Sequence, residues 1–122
     1  MINRYQHGLI YEKLAKEHLE QQGYKIIAQN VRFKCGEIDL VAEQGTTLVF
    51  IEVRKTSAAQ WLRPEETIAP KKIIRLRKAT RLYVWNYRGK AANVRVDLIG
   101  FRVDEQSKKV DLDHHEDFID FG

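Results

Sequence analysis

The pattern of apolar and polar positions changes period several times along the chain, and each change predicts a boundary. Residues 4–22 repeat at helical spacing, with Ile10, Leu14 and His18 on one stripe and Gly8, Ala15 and Leu19 on the adjacent one. Gly23 follows as a helix stop. Residues 24–33 read as a strand with an irregularity near Gln29-Asn30. Alternating segments at 36–43 and 46–54, separated by Gln44-Gly45, predict a β-hairpin. A long connection over 55–69 holds Trp61 and Pro64; connections of that length in a compact domain are usually functional or mobile. A second helix is expected over 68–87, with Pro70 accommodated in its first turn and Ile73, Leu76, Thr80, Tyr83 and Tyr87 as its inner stripe. A strand over 93–103 and a short partner near 108–112 complete the chain. The order α-β-β-β-α-β-β predicts a mixed α/β fold on one sheet.

The hairpin carries the chemistry. With Gln44 and Gly45 as the turn, Glu43 pairs with Thr46, Asp39 with Phe50 and Glu37 with Glu52. Asp39 and Glu52 then share a face as diagonal neighbours, with Cβ atoms ~7 Å apart or less. The other face holds Ile38, Leu40 and Ala42 against Val49, Ile51 and Val53, and is expected to pack on a helix. An unpaired charge on a buried strand is costly, so two acids on facing strands point to a shared cation. A slip of one residue would separate them. Glu12 lies at the edge of the first helix's inner stripe. It can reach inward, or it can pair with Lys16 one turn on, a contact worth only ~0.3–0.5 kcal/mol.

Charge supplies a second line. The chain has 122 residues, 21 basic and 17 acidic side chains and a net charge of +4. Residues 111–122 hold Asp111, Asp113, Glu116, Asp117 and Asp120 with no Lys or Arg, so the positive charge is concentrated in residues 1–110, read as the domain, and 111–122 as an acidic tail. Such a body attracts polyanions, nucleic acid above all. The length fits one domain. The single Cys35 can form no internal disulfide, the N-terminus lacks the apolar run of a signal peptide, and no segment reaches the ~20 apolar residues of a membrane span. A cytoplasmic protein with no membrane partner is expected.

An acid on one strand followed by Glu-x-Lys on the next is the signature of the PD-(D/E)XK nuclease superfamily. More narrowly, the chain resembles the YraN-like family, small proteins related to Holliday-junction resolvases. The matching stretches are Glu12 with Ala15, Gly23-Tyr24, Gln29-Asn30-Val31-Arg32, Gly36-Glu37-Ile38-Asp39-Leu40 and Val49-Phe50-Ile51-Glu52-Val53-Arg54; then Lys71 or Lys72, Ala79 and Arg95-Val96-Asp97. They span about residues 5–101. The resemblance implies a restriction-endonuclease-like αβββαβ core, one mixed sheet flanked by helices. It implies Asp39, Glu52 and the Val53 carbonyl as metal ligands, with Glu12 contributing directly or through water. It implies Mg²⁺, or Mn²⁺ in its place, and hydrolysis of phosphodiesters in structured or branched DNA.

Arg54 departs from that pattern, since it stands where the superfamily has Lys. Lys can give up a proton when its environment favours it; Arg stays charged at any working pH. Three readings follow. Arg54 acts electrostatically beside Glu12, Asp39 and Glu52; or Lys55, Lys71 or Lys72 substitutes, Lys55 being disfavoured because it points away from Arg54; or the domain is a catalytically silent nucleic-acid-binding module. An ion pair of Arg54 with Glu37 or Glu52 is the plain structural alternative. Lys71, Lys72, Arg75 and Lys78 are the expected nucleic-acid contacts on the second helix, although a basic run is often only a solvated face. Trp61 could stack on a base or cap the core. His114-His115 are not expected to form a metal site, and Asp97 is expected to be structural. Symmetric cutting of two strands would favour a homodimer. A protein-interaction domain recruiting through its acidic tail is a further alternative.

Overall fold

A computed structural model of the chain describes residues 4–57, 68–87, 89 and 91–119, the side chains of 4–7 and 57 excepted. Helix α1 spans Arg4–Gln21 and α2 Pro70–Asn86; strands β1 Lys25–Phe33, β2 Gly36–Gln44, β3 Thr47–Ser57, β4 Asn93–Val103 and β5 Val110–His115 form one sheet in the order β1-β2-β3-β4-β5. The sheet is mixed: β3 and β4 run parallel, joined through α2, and the remaining pairs are antiparallel. This is the α/β architecture that the element order predicted, one sheet with two helices, consistent with a restriction-endonuclease-like core. Residues 58–67, including Trp61, lie outside the described set. β3 extends to Ser57, so the expected connection starts three residues later than position 55.

The first helix ends where Gly23 was expected to stop it. Gly23 N–H donates to the Glu20 carbonyl at 3.1 Å and Tyr24 N–H to Leu19 at 3.0 Å, the paired bonds of a Schellman motif. Leu19 and Tyr24 meet in the core below it. One of the two predicted α1 stripes is buried: Ala15 and Leu19 are fully covered, whereas Ile10 and Leu14 remain 41% and 38% exposed. The core divides into two layers. On the α1 side lie Leu40, Ala42, Val49, Ile51, Ile99 and Phe101. On the α2 side lie Ile38, Val41, Leu48, Phe50, Leu76, Ala79 and Val96.

Two expectations about the hairpin need correction. The turn residues are Gly45 and Thr46, with Gly45 at φ +59°, and Gln44 pairs with Thr47, Ala42 with Val49 and Leu40 with Ile51. Moving the turn by one residue shifts the register by two, which preserves every face while changing every partner. The glycine takes the left-handed conformation at the first turn position, where it is uncontested sterically. The second correction concerns Ile38, which does not join Leu40 and Ala42 but packs with Val41 on the α2 side. Strict alternation forbids that, so the strands must be distorted between them. The ladder of β1 with β2 runs Gln29↔Leu40 and then Val31↔Ile38, skipping Asn30 and Asp39. Asn30 sits at φ +49°, a conformation that Asn tolerates better than most residues. The irregularity expected near Gln29-Asn30 is thus a local change of face, and a further register shift lies between Ile26 and Ala28.

At the far edge, β5 occupies Val110–His115, two to three residues beyond its expected place, and Ile119 is buried in the α2-side layer. The acidic segment expected as a tail therefore begins inside the sheet. No described helix is long and apolar enough to cross a membrane.

Candidate functional site

The broken ladder at Asp39 builds the site. Backbone pairing of β2 with β3 stops at Leu40↔Ile51. Val53 N–H donates to Asp39 Oδ2 at 2.8 Å, so the side chain takes a donor that the ladder no longer pairs. Continuing the register places Glu52 across from Asp39, as a facing neighbour rather than the diagonal one expected. Glu52 follows Leu48 and Phe50 on the α2 side of β3 and is 1% exposed. The Asp39 carboxyl is close enough for its charge to act on Glu52.

Lys72 closes the pair from above. It lies in the first turn of α2, and its Nζ stands 2.8 Å from Glu52 Oε1. Glu52 Oε2 is buried without a hydrogen-bond partner. Close approach of α2 to the sheet depends on Gly36: a Cβ there would come within 2.7 Å of the Arg75 carbonyl oxygen. A side chain at Gly36 would push against backbone, not a yielding side-chain end.

Two open clefts meet at this point. One, of about 920 Å³, is lined by Gly8, Tyr11, Glu12, Glu52, Val53, Arg54 and Lys55. The other, of about 510 Å³, is lined by Arg32, Lys34, Cys35 and Arg75 among others. Glu37, Asp39 and Lys72 line both and form the partition. One cleft is therefore acid-floored and the other mostly basic.

Burial and like charge govern the acids. Burial, reinforced by the Asp39 charge and opposed by Lys72, pushes the Glu52 carboxyl from 4.5 up to about 7. Burial also raises Asp39, against the Val53 N–H and Lys72, which favour its charged form. Glu12 is raised by burial and by Asp39, while a hydrogen bond from the Asn30 side chain opposes the shift. Glu12 thus faces Asp39 and Asn30, the inward choice of its two expected orientations. Asn30, the left-handed residue at the gap in the ladder beside Asp39, thus lies next to Glu12.

Of the residues singled out from sequence, Glu12, Asp39, Glu52, Val53 and Arg54 converge on the larger cleft, joined by Lys72. Lys55 lines its rim, with Nζ 6.0 Å from the Tyr11 ring centre. Lys71 and Lys78 are exposed along α2 and line neither cleft, whereas Arg75, also exposed, lines the smaller cleft with Glu37 and Asp39. Tyr11 carries no signal in the sequence; Asn30 and Glu37 lie in the matching stretches, Asn30 also at the strand irregularity and Glu37 as a candidate partner of Arg54, but neither is given a role in the site. Among the described residues, no three His, Cys, Asp or Glu side chains form a group that could hold an ion by themselves.

His114 Nε2 lies 2.8 Å from Asp97 Oδ2. Asp97, fully buried, also accepts from Arg95 Nε at 2.9 Å and from Asp117 N–H at 3.0 Å. Burial would raise its pKa, yet those hydrogen bonds outweigh burial and hold it below the usual carboxylate range.

With the geometry in place, comparison with known proteins gives a consistent result. The sequence model of a family described as "Uncharacterised protein family UPF0102" matches residues 11–101. A UPF0102 protein of Carboxydothermus hydrogenoformans is 37% identical over 120 residues, covering 98% of this chain and 100% of its own. One from Flavobacterium johnsoniae is 38% identical over 104 residues, 82% of this chain and 84% of its own. One from Haemophilus ducreyi is 38% identical over 101 residues, 80% of each chain.

Proposed function

The chain belongs to the uncharacterised protein family UPF0102, of the PD-(D/E)XK nuclease-like superfamily, and on that footing we propose that it is a metal-dependent endonuclease cutting phosphodiester bonds in branched or otherwise structured DNA. The observation that carries the reading is Glu52. A carboxylate 1% exposed, facing a second carboxylate, with one oxygen unpartnered, is costly unless it serves a charge. Structural acids in this same chain look different: Asp97 has a partner for both oxygens.

The donor set suits Mg²⁺, with Mn²⁺ as a substitute. It is all oxygen, and two side chains leave room for the several waters that Mg²⁺ keeps. Asp39, Glu52 and the Val53 carbonyl would hold the ion, with Glu12 reaching it directly or through water. Such an ion polarises the phosphoryl oxygen and lowers the pKa of coordinated water. The protein's own groups do the rest. Val53 N–H fixes the Asp39 carboxylate. Lys72, with Nζ 2.8 Å from Glu52 Oε1, would take the part of the superfamily lysine. Arg54, on the same cleft, serves as a fixed positive charge for the phosphate. Lys71, Arg75 and Lys78 lie along the helix that starts at the site and contact the backbone of the substrate. Symmetric cutting would use a dimer related by a two-fold axis.

A second reading has its own support. Arg54 in the lysine position and Lys72 bonded to Glu52 would equally suit a silent nucleic-acid-binding module. The test is a cleavage panel of branched, flapped, single-stranded and duplex DNA with Mg²⁺ and Mn²⁺, run beside titration of Mn²⁺ into the wild type, Asp39→Ala and Glu52→Ala. Cleavage and ion binding lost together in both variants are expected. Wild-type protein that binds DNA but neither takes up Mn²⁺ nor cuts any substrate would make the silent module the correct reading.

A further inference from the structure

The outer face of α2 is unusual for a solvated helix. Ile74 is 52% exposed, Leu82 42% and Trp85 87%. Lys71, Arg75, Lys78 and Arg81 are also exposed, and α2 contains no Asp or Glu. At about 100° per residue, all seven fall within an arc of roughly 120°, opposite the buried Leu76 and Thr80. The apolar and cationic side chains are interleaved rather than segregated. An apolar stripe of this kind exposes surface that folding normally covers.

From this face we infer that α2 is a stacking platform for unpaired bases, with Trp85 as the principal ring and the four cations as phosphate contacts. Charge selects the occupant. A second copy laid face to face on α2 about a two-fold axis would set cations against cations. A polyanion that also presents flat apolar faces satisfies both halves of the pattern, and single-stranded nucleic acid is such a polymer. Trp85 lies 13 residues beyond Lys72, or about 20 Å along the helix at 1.5 Å per residue. Lys72 and Trp85 differ by roughly 140° about the helix axis at about 100° per residue, so a strand leaving the site would cross onto the outer face of α2 before its unpaired end reached Trp85. The inference rests on the nucleic-acid half of the proposed function and names its substrate: DNA with a single-stranded arm beside the cut.

The experiment measures binding without cleavage, in EDTA, by anisotropy of labelled oligothymidylate and of a blunt duplex of equal length. Trp85→Ala should weaken oligothymidylate binding roughly 5- to 150-fold, the worth of one stacked base, and should affect the duplex much less. Trp85→Phe should retain the preference. Lys78→Glu should weaken both probes. Because Trp85 is almost wholly exposed, its variants should melt with the wild type, which thermal denaturation checks. Unchanged oligothymidylate affinity in Trp85→Ala overturns the inference. So does binding to phosphatidylserine vesicles with none to oligothymidylate, or a dimer that Trp85→Ala dissociates without altering DNA affinity. A wild type that binds oligothymidylate through Trp85 yet cuts nothing supports the inference while overturning the nuclease reading.

Discussion

Glu52 is held at a cost that pH can expose. Its carboxyl is pushed from 4.5 up to about 7 by burial and by the neighbouring Asp39 charge. In the unfolded chain it ionises near 4.5. Between those two pH values the folded state binds the extra proton, so stability falls as pH rises through the window. Below it both states are protonated, and above it both are charged, with the folded state carrying the full penalty. At about 1.4 kcal/mol per pKa unit, the loss across the window is on the order of 3 kcal/mol. Asp39, raised in the same direction, adds to it. Glu52→Gln removes the ionisation, keeps most of the shape and should be more stable than the wild type above about pH 7 in the presence of a chelator. The check is the difference in urea unfolding free energy between the two proteins, followed from about pH 4 to about pH 8. A difference that stays constant with pH would mean that Glu52 ionises normally in the fold.

At the scale of elements, the close approach of β2 to α2 is what brings Lys72 onto Glu52. Gly36→Ala places a methyl group within 2.7 Å of the Arg75 carbonyl oxygen, and the helix must move to admit it. Overpacking of this kind costs roughly 1–3 kcal/mol. The predicted loss in chemical denaturation should be accompanied by weaker Mn²⁺ binding and slower cleavage, because the displaced segment carries Lys72. A Gly36→Ala protein as stable and active as the wild type would show that α2 can shift without cost.

Sequence reasoning went far with these elements and stopped at identifiable points. The hairpin and α2 are legible because their apolar periods are clean; α1 is legible more by its length and its Gly23 stop, since Leu9, Ile10 and Leu14 remain exposed. The shared face of Asp39 and Glu52 survives an error in turn placement, since a one-residue move of the turn changes register by two and side-chain direction repeats every two residues. The switch of faces between Ile38 and Leu40 is not legible. It depends on the left-handed Asn30 of the neighbouring strand, and hydrophobic alternation carries no record of a partner's backbone. Lys72 is nominated together with Lys71, yet helical phase separates them: Lys72 precedes the buried Leu76 by one turn, whereas Lys71 falls on the exposed face. The inward turn of Glu12 likewise needs Asn30 in place.

Across the whole molecule, the acidic C-terminal stretch does more than balance charge. Its first half is β5, paired with β4 from Val103↔Val110 to Leu98↔His115. Beyond it, Phe118 N–H donates to the Val96 carbonyl at 2.9 Å and Ile119 is buried on the α2 side. The same segment supplies His114 and the Asp117 N–H to the buried Asp97, so it closes one edge of the sheet and fastens both layers. A chain ending at Lys109 would strip β4 of its outer partner and leave Asp97 with Arg95 as its remaining described partner. Each hydrogen bond lost from a buried charge costs about 1.5–3 kcal/mol, so the two together take a large share of the ~5–15 kcal/mol that stabilises a typical domain. The truncated protein should therefore lose cooperative thermal unfolding, whereas Asp111→Asn, on an exposed side chain of the same segment, should melt as the wild type does. A free acidic tail would give the opposite result: the chain ending at Lys109 would unfold cooperatively at the wild-type temperature, and the stretch would be left with charge alone as its role.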